Sequence, residues 1–122
     1  MQWLLHGKLA PAVADALRRH EHVPHPLADA GLSDDAAPAD VIAAAAAKQW
    51  DLLTTDPAIH ETIFATNKWF LRSIVYLQLE GADVEQDDAI DRLFQRYKRL
   101  TPGRLYTVTG SRVKIRQLPG KH

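Results

Sequence analysis

The stretch Gln2-Trp3-Leu4-Leu5-His6-Gly7-Lys8-Leu9-Ala10-Pro11 limits what this chain can fold into more than any other. An apolar run that stops at a polar turn and restarts on a proline reads as a strand leading into a helix, with Pro11 in the helix's first turn. Asp51-Leu52-Leu53-Thr54-Thr55-Asp56-Pro57 is a second exit of the same kind. If the two strands are parallel neighbours, His6, Lys8 and Asp56 meet at the carboxyl edge of a sheet, where open α/β folds place ligands and chemistry.

The rest of the chain alternates in the same manner. After Pro11, Val13, Ala16 and Leu17 share one helical face. Glu21 to Pro26 reads as a short second strand, because its prolines disfavour helix in the residues before them. Ala28 to Ala39 is small, acidic and turn-rich, a loop entering a helix near Pro38 that runs to Lys48 with Asp40 in its first turn. Pro57 to Ala65 reads as a short helix and Asn67 to Arg72 as a connection. Ser73 to Leu79 reads as a strand hydrophobic enough to be covered on both faces. A last helix is capped at Asp83 with Gln86 as capping-box partner, and Ile90, Leu93, Phe94, Tyr97 and Leu100 make its apolar stripe before Pro102 and Gly103 stop it. Arg104 to Arg116 reads as two strands around Gly110-Ser111, with Val113 and Ile115 on one side and Arg112, Lys114 and Arg116 on the other. Alternating strands and helices predict an α/β fold with a mostly parallel central sheet and a C-terminal β-hairpin, in a single domain over residues 1–122.

Composition narrows the functions. The 122 residues hold fifteen basic and fifteen acidic side chains, so any attraction to a nucleic acid must come from a local patch. The absence of cysteine removes disulfides, thiolate metal sites and cysteine nucleophiles together, and makes a reducing cytoplasm the default expectation. No apolar run has the length of a signal peptide or a membrane span, so the expectation is a soluble protein that is not exported.

Candidate binding residues follow from charge. Lys68 and Arg72 flank the strand expected beside that of Asp56, and Arg112 and Lys114 belong to the cationic stripe of the hairpin; both pairs are candidates for holding a nucleic-acid backbone. His20, His22 and His25 are read as helix-end and sheet-edge residues rather than a metal cluster, and His60, one turn beyond Asp56, as solvent-facing. Trp3, Trp50 and Trp69 are read as core or interface aromatics.

The succession of these elements resembles the PIN-like domain superfamily, and more closely the small bacterial PIN-like proteins related to the toxin ribonucleases of toxin and antitoxin pairs. It is carried by the polar triplet and Leu-x-Pro after the first strand, the small-residue helix, Leu-Leu-Thr-x-Asp at Leu52–Asp56, Ser-Ile-Val-Tyr-Leu at Ser73–Leu77 and the closing Gly-Arg-Leu-x-x-Val-Thr and Val-Lys-Ile-Arg strands. The resemblance implies a three-layer α/β/α domain and a metal-dependent endoribonuclease in which acids at strand ends hold Mg²⁺ or Mn²⁺. RNA, an antitoxin or other protein partner, and a homodimer are the partners it implies; no membrane is among them. Asp56 matches the acid after the third strand. Asp40 lies near the acid of the intervening helix, with Asp34 or Asp35 as alternatives. Where relatives carry a first-strand Asp, commonly within Asp-Glu-Asn, this chain has His6, Gly7 and Lys8.

That substitution alters the chemistry. Mg²⁺ is a hard ion held by carboxylates and water, and a Lys8 cation beside Asp56 would compete for that carboxylate with an energy of about 4 kcal/mol at an effective dielectric near 20. Two outcomes stay open. Either His6 joins Asp56 and Asp40 in a mixed site suited to Mn²⁺, Zn²⁺ or Fe²⁺, or Lys8 replaces the metal's charge, pairing with Asp56 or holding a phosphate, and hydrolysis is lost or very slow. The second makes the chain a non-catalytic nucleic-acid- or protein-binding module.

Overall fold

In a computed structural model the chain forms, in order, β1 (Gln2–His6), α1 (Pro11–Arg19), β2 (Val23–His25), a 3-10 helix (Leu27–Ala30), α2 (Pro38–Lys48), β3 (Asp51–Thr54), α3 (Ala58–Thr66), β4 (Ile74–Leu77), α4 (Asp83–Arg96), β5 (Arg104–Val108) and β6 (Val113–Gln117). The described residues are 1–67, 70–79, 83–110 and 112–119; Lys68, Trp69, Ser111 and the side chain of Asp83 lie outside them. The strands form one six-stranded sheet in the order β2-β1-β3-β4-β5-β6. All neighbours are parallel except the closing hairpin of β5 and β6. β1 and β3 are the parallel neighbours the sequence called for, in register from Trp3 opposite Asp51 to His6 opposite Thr54.

Strand alternation splits the core into two layers. Trp3, Leu53, Val75, Leu77, Tyr106 and Val108 pack on one face against Val13, Ala16 and Leu17 of α1 and Ala89, Ile90, Leu93 and Phe94 of α4. Leu4, Leu52, Ile74 and Leu105 pack on the other against Val41, Ile42 and Ala45 of α2 and Ile59 and Ile63 of α3. The fold is a three-layer α/β/α arrangement. Of the Ala43–Ala47 run only Ala45 is buried in this layer, with Ala44 packed at its edge and the others exposed.

The crossovers differ in hand. The step from β1 to β2 goes one way across the sheet with α1 on the first face; the steps to β3 and β4 go the other way with α2 and α3 on the second face. Reversing both direction and face preserves the hand, so these three crossovers share it. The step from β4 to β5 keeps the second direction, yet α4 lies on the first face beside α1, so its hand is opposite. Parallel crossovers are right-handed in about 98% of cases, and nothing in a hydrophobic pattern signals an exception.

Element bounds shift in several places: β2 is shorter than Glu21–Pro26, a 3-10 helix begins the stretch read as loop, and α3 is offset by one residue. β4 starts at Ile74, because Ser73 gives its amide and its hydroxyl to Asp51 Oδ1, each at 2.8 Å, and it stops at Leu77. α4 ends at Arg96 rather than running through Leu100; the turn after it buries Leu100 and lets the Thr101 amide donate to the Tyr106 hydroxyl at 2.8 Å.

The histidines near the amino rim are all engaged. His20 Nε2 lies 2.9 Å from Asp91, which also accepts from Arg19, tying α1 to α4. His25 lies flat on Trp50, with ring centroids 3.8 Å apart, and contacts Gln2 and Asp29. Trp3 Nε1–H donates to His22 Nδ1 at 2.9 Å, and the His22 ring packs 4.3 Å from Phe94. Burial, aided by the positive charges of the amino terminus and His20, lowers the His22 pKa to about 4. Between about pH 6.5 and pH 4 the unfolded chain therefore binds a proton that the folded chain refuses, so stability is full above this window and falls as pH drops through it. We expect urea unfolding to report a loss of about 1–3 kcal/mol between pH 7 and pH 4.5 on this account, and His22→Asn to flatten that part of the profile.

Candidate functional site

β1 and β3 send their chains to opposite faces, Gly7 to Ala10 toward α1 and Thr55 to Pro57 toward α3. A crevice at the carboxyl ends of two such strands is the usual ligand position in open α/β sheets. Its floor is the pair His6 and Thr54, both buried. Thr54 Oγ1 accepts the Asp56 amide at 2.9 Å and lies 2.8 Å from His6 Nδ1. The hydroxyl keeps both its proton and a second lone pair for Nδ1, so the pair is satisfied with either ring tautomer of His6. Burial lowers the His6 pKa, with the Asp56 charge working against it.

Backbone contacts hold the rim together. The Lys8 amide donates to Thr55 Oγ1 at 2.9 Å, and Asp56 Oδ1 accepts the Ala58 amide at 2.9 Å, closing the first turn of α3. Gln86 of α4 accepts the Ala10 amide at 2.8 Å and donates to the Lys8 carbonyl at 3.2 Å, so the side chain expected to serve a helix cap holds the β1–α1 turn. Gly7 has φ +88°, and a Cβ placed there would collide with Thr55 Oγ1. The two turns touch because position 7 has no side chain.

The register carries a polar row outward from the crevice on the α3 face. Thr54 stands beside Tyr76, Tyr76 beside Thr107 and Thr107 beside Lys114. His60 of α3 lies over this row with its ring 4.9 Å from that of Tyr76, and its buried Nδ1 has no hydrogen-bond partner among the described residues. Burial lowers the His60 pKa and raises that of Tyr76, and the negative charge of Asp56 adds to the rise at Tyr76. Shallow concavities of about 520 and 530 Å³ flank the crevice, one lined by Lys8, Pro26, Leu27 and Asp34, the other by Thr55, Tyr76, Gln78 and Thr109.

The sequence candidates separate accordingly. His6 and Asp56 meet through Thr54, and Lys8 shares their rim with its side chain exposed. No ion pair among the described residues joins Lys8 to Asp56, so of the two uses expected for Lys8 the pairing with Asp56 is not seen, and its ammonium is left exposed at the rim. Asp40 is exposed in the first turn of α2, and Asp34 lines the concavity beside Lys8. Lys114 ends the polar row, and Arg112 is exposed just before it. Arg72 lies at the opposite rim, because a residue preceding a parallel strand and one following it stand at opposite ends; there its Nη2 donates to buried Asp51 at 3.2 Å. Lys68 lies outside the described residues. His60 is half-buried against Tyr76 rather than facing solvent. Sequence reading passed over Thr54, Tyr76 and Thr107, since their alignment exists only once strand pairing is known.

A Mg²⁺ or Mn²⁺ site needs several oxygen ligands converging, and no group of three His, Asp or Glu side chains able to hold a metal occurs among the described residues. No helix among them is long and apolar enough to cross a membrane. Compared with family models, curated proteins and solved structures, the chain finds no match. We expect Gly7→Ala to destabilise the fold by about 1–3 kcal/mol in urea titration, from the left-handed backbone and the Thr55 collision together, and Gly7→Ala with Thr55→Ala to recover part of the loss.

Proposed function

We propose that the chain is a PIN-like protein of ribonuclease lineage whose carboxyl rim binds single-stranded RNA without metal-assisted cleavage. The observation that carries this reading is the crevice floor: a buried, largely neutral imidazole stands where the resemblance calls for the leading carboxylate, and Thr54 occupies its Nδ1. A rim where Asp56 and Asp34 stand among the cations Lys8, Arg112 and Lys114 suits a phosphodiester backbone better than a hydrated divalent ion. None of the three cations has an ion-pair partner among the described residues. Tyr76 and His60 supply aromatic surface beside them, of the kind on which unpaired bases stack. In this reading the protein works in the cytoplasm, and an antitoxin-like protein partner or a second copy is its other class of ligand.

The test is fluorescence anisotropy with a labelled single-stranded RNA across a salt series, alongside gel analysis of the same RNA with MnCl₂ or EDTA. We expect binding that weakens steeply with salt, a slope smaller by about 0.7 in Lys114→Ala, and identical intact RNA with either additive. Cleavage that requires Mn²⁺ and disappears in Asp56→Asn would instead establish the conventional nuclease. Salt-independent or absent RNA binding would turn the reading to a protein ligand.

A further inference from the structure

We propose that the open edge of β6 is a docking strand for an extended acidic segment of another protein. This goes beyond the RNA reading, shares only Lys114 with it, and begins from the phase of the hairpin. The Thr109 amide donates to the Arg112 carbonyl at 2.9 Å, and the Leu118 amide to the Gly103 carbonyl at 2.9 Å. In an antiparallel pair bonded and non-bonded residues alternate, so with this register Arg112, Lys114, Arg116 and Leu118 turn their backbone groups toward β5. Val113, Ile115 and Gln117 turn theirs outward. The bond from the Gln78 amide to the Val108 carbonyl, on the far side of β5, has the same phase. β6 is last in the sheet, and no described hydrogen bond uses its outward groups.

The opposite edge is blunted. β2 has three residues, and Pro24 at its centre has no amide to offer. β6 has five residues without proline. Its two faces differ: Lys114 and Arg116 share one, and Val113 and Ile115 the other, with Ile115 42% exposed. The Arg116 guanidinium lies 3.9 Å above the Phe64 ring, which holds it in place. Neither cation has an ion-pair partner among the described residues.

Charge selects the occupant. A second copy paired antiparallel about Ile115 would set Lys114 against Arg116 twice on one face, gathering four cations, and like charges directly opposite are destabilising. A strand with Asp or Glu opposite Lys114 and Arg116 and an apolar residue opposite Ile115 satisfies both faces together with the outward amides and carbonyls. The ligand is therefore an extended segment alternating acidic and apolar residues.

Two labelled synthetic peptides test this with the full chain, one alternating glutamate and valine, the other lysine and valine, read by anisotropy and by amide hydrogen exchange. The glutamate peptide is expected to bind and to protect the Val113, Ile115 and Gln117 amides, and the lysine peptide not to bind. Ile115→Pro removes an outward amide without touching the bonds to β5 and is expected to weaken binding about tenfold or more. Lys114→Glu with Arg116→Glu is expected to exchange the peptide preference, which no unfolded variant can do. Equal binding of both peptides, undiminished binding by Ile115→Pro, or protection elsewhere on the chain would each overturn the proposal. So would a dimer in sedimentation that Ile115→Pro dissolves, since the occupant would then be a second copy. Lys114 would meet RNA through its side chain and a docked strand through the outward amides beside it, so protection of the Val113, Ile115 and Gln117 amides reads the strand and the salt slope of Lys114→Ala reads the RNA, and either proposal can fail while the other stands.

Discussion

Burial of β1 and β3 on both faces is the constraint from which the remaining architecture follows. Two adjacent parallel strands without a solvent face need helices above and below, and α1 and α3 leave their ends in opposite directions to provide them. The chain parts at the carboxyl rim as a result, and the gap is closed from below by the His6–Thr54 pair and from above by the contact of Gly7 with Thr55. One threonine hydroxyl joins both strands to the start of α3. The site and the fold thus share their central hydrogen bonds, and a change in either is felt by the other.

The unusual hand of the last crossover decides which surfaces are open. Had α4 followed α2 and α3, it would have lain over β5 and β6 on the face that carries Thr107, Lys114 and Arg116. Packed beside α1 instead, it ties that helix through Arg19, His20 and Asp91 and fills the core around Trp3 and Phe94. The second face ends with α3, so the polar row runs out from beneath a helix to an exposed lysine on an edge strand. One topological choice thereby supplies both the cationic end of the rim and a free backbone edge.

Much of the fold was legible because local signals agreed with the tertiary result. The apolar runs at Gln2–His6 and Asp51–Thr54 end on polar turns and prolines, and their parallel pairing followed from the helices between them. Arg72 does flank the strand beside that of Asp56, but a residue ahead of a parallel strand belongs to the amino rim, where Asp51 holds it. Other features were not available from one dimension. Tyr76, Thr107 and Lys114 are distant in sequence and become neighbours only through register. His60 looked solvent-facing because its helix is short and mixed in character, and its burial comes from Tyr76 on another element. The hand of α4's crossover leaves no trace in periodicity at all.

The vacancy at position 7 also bears on the history such a chain can have. With Thr55 filling the space a side chain at 7 would need, a single codon change there meets an occupied site, whereas a change at 6 leaves Thr54 and its bond to the Asp56 amide in place. Any side chain at 7 has to pass through a folding-impaired intermediate or wait until Thr55 has been replaced. The close approach of two turns thus acts as a lock on one position, leaving the rest of the rim free to vary around it.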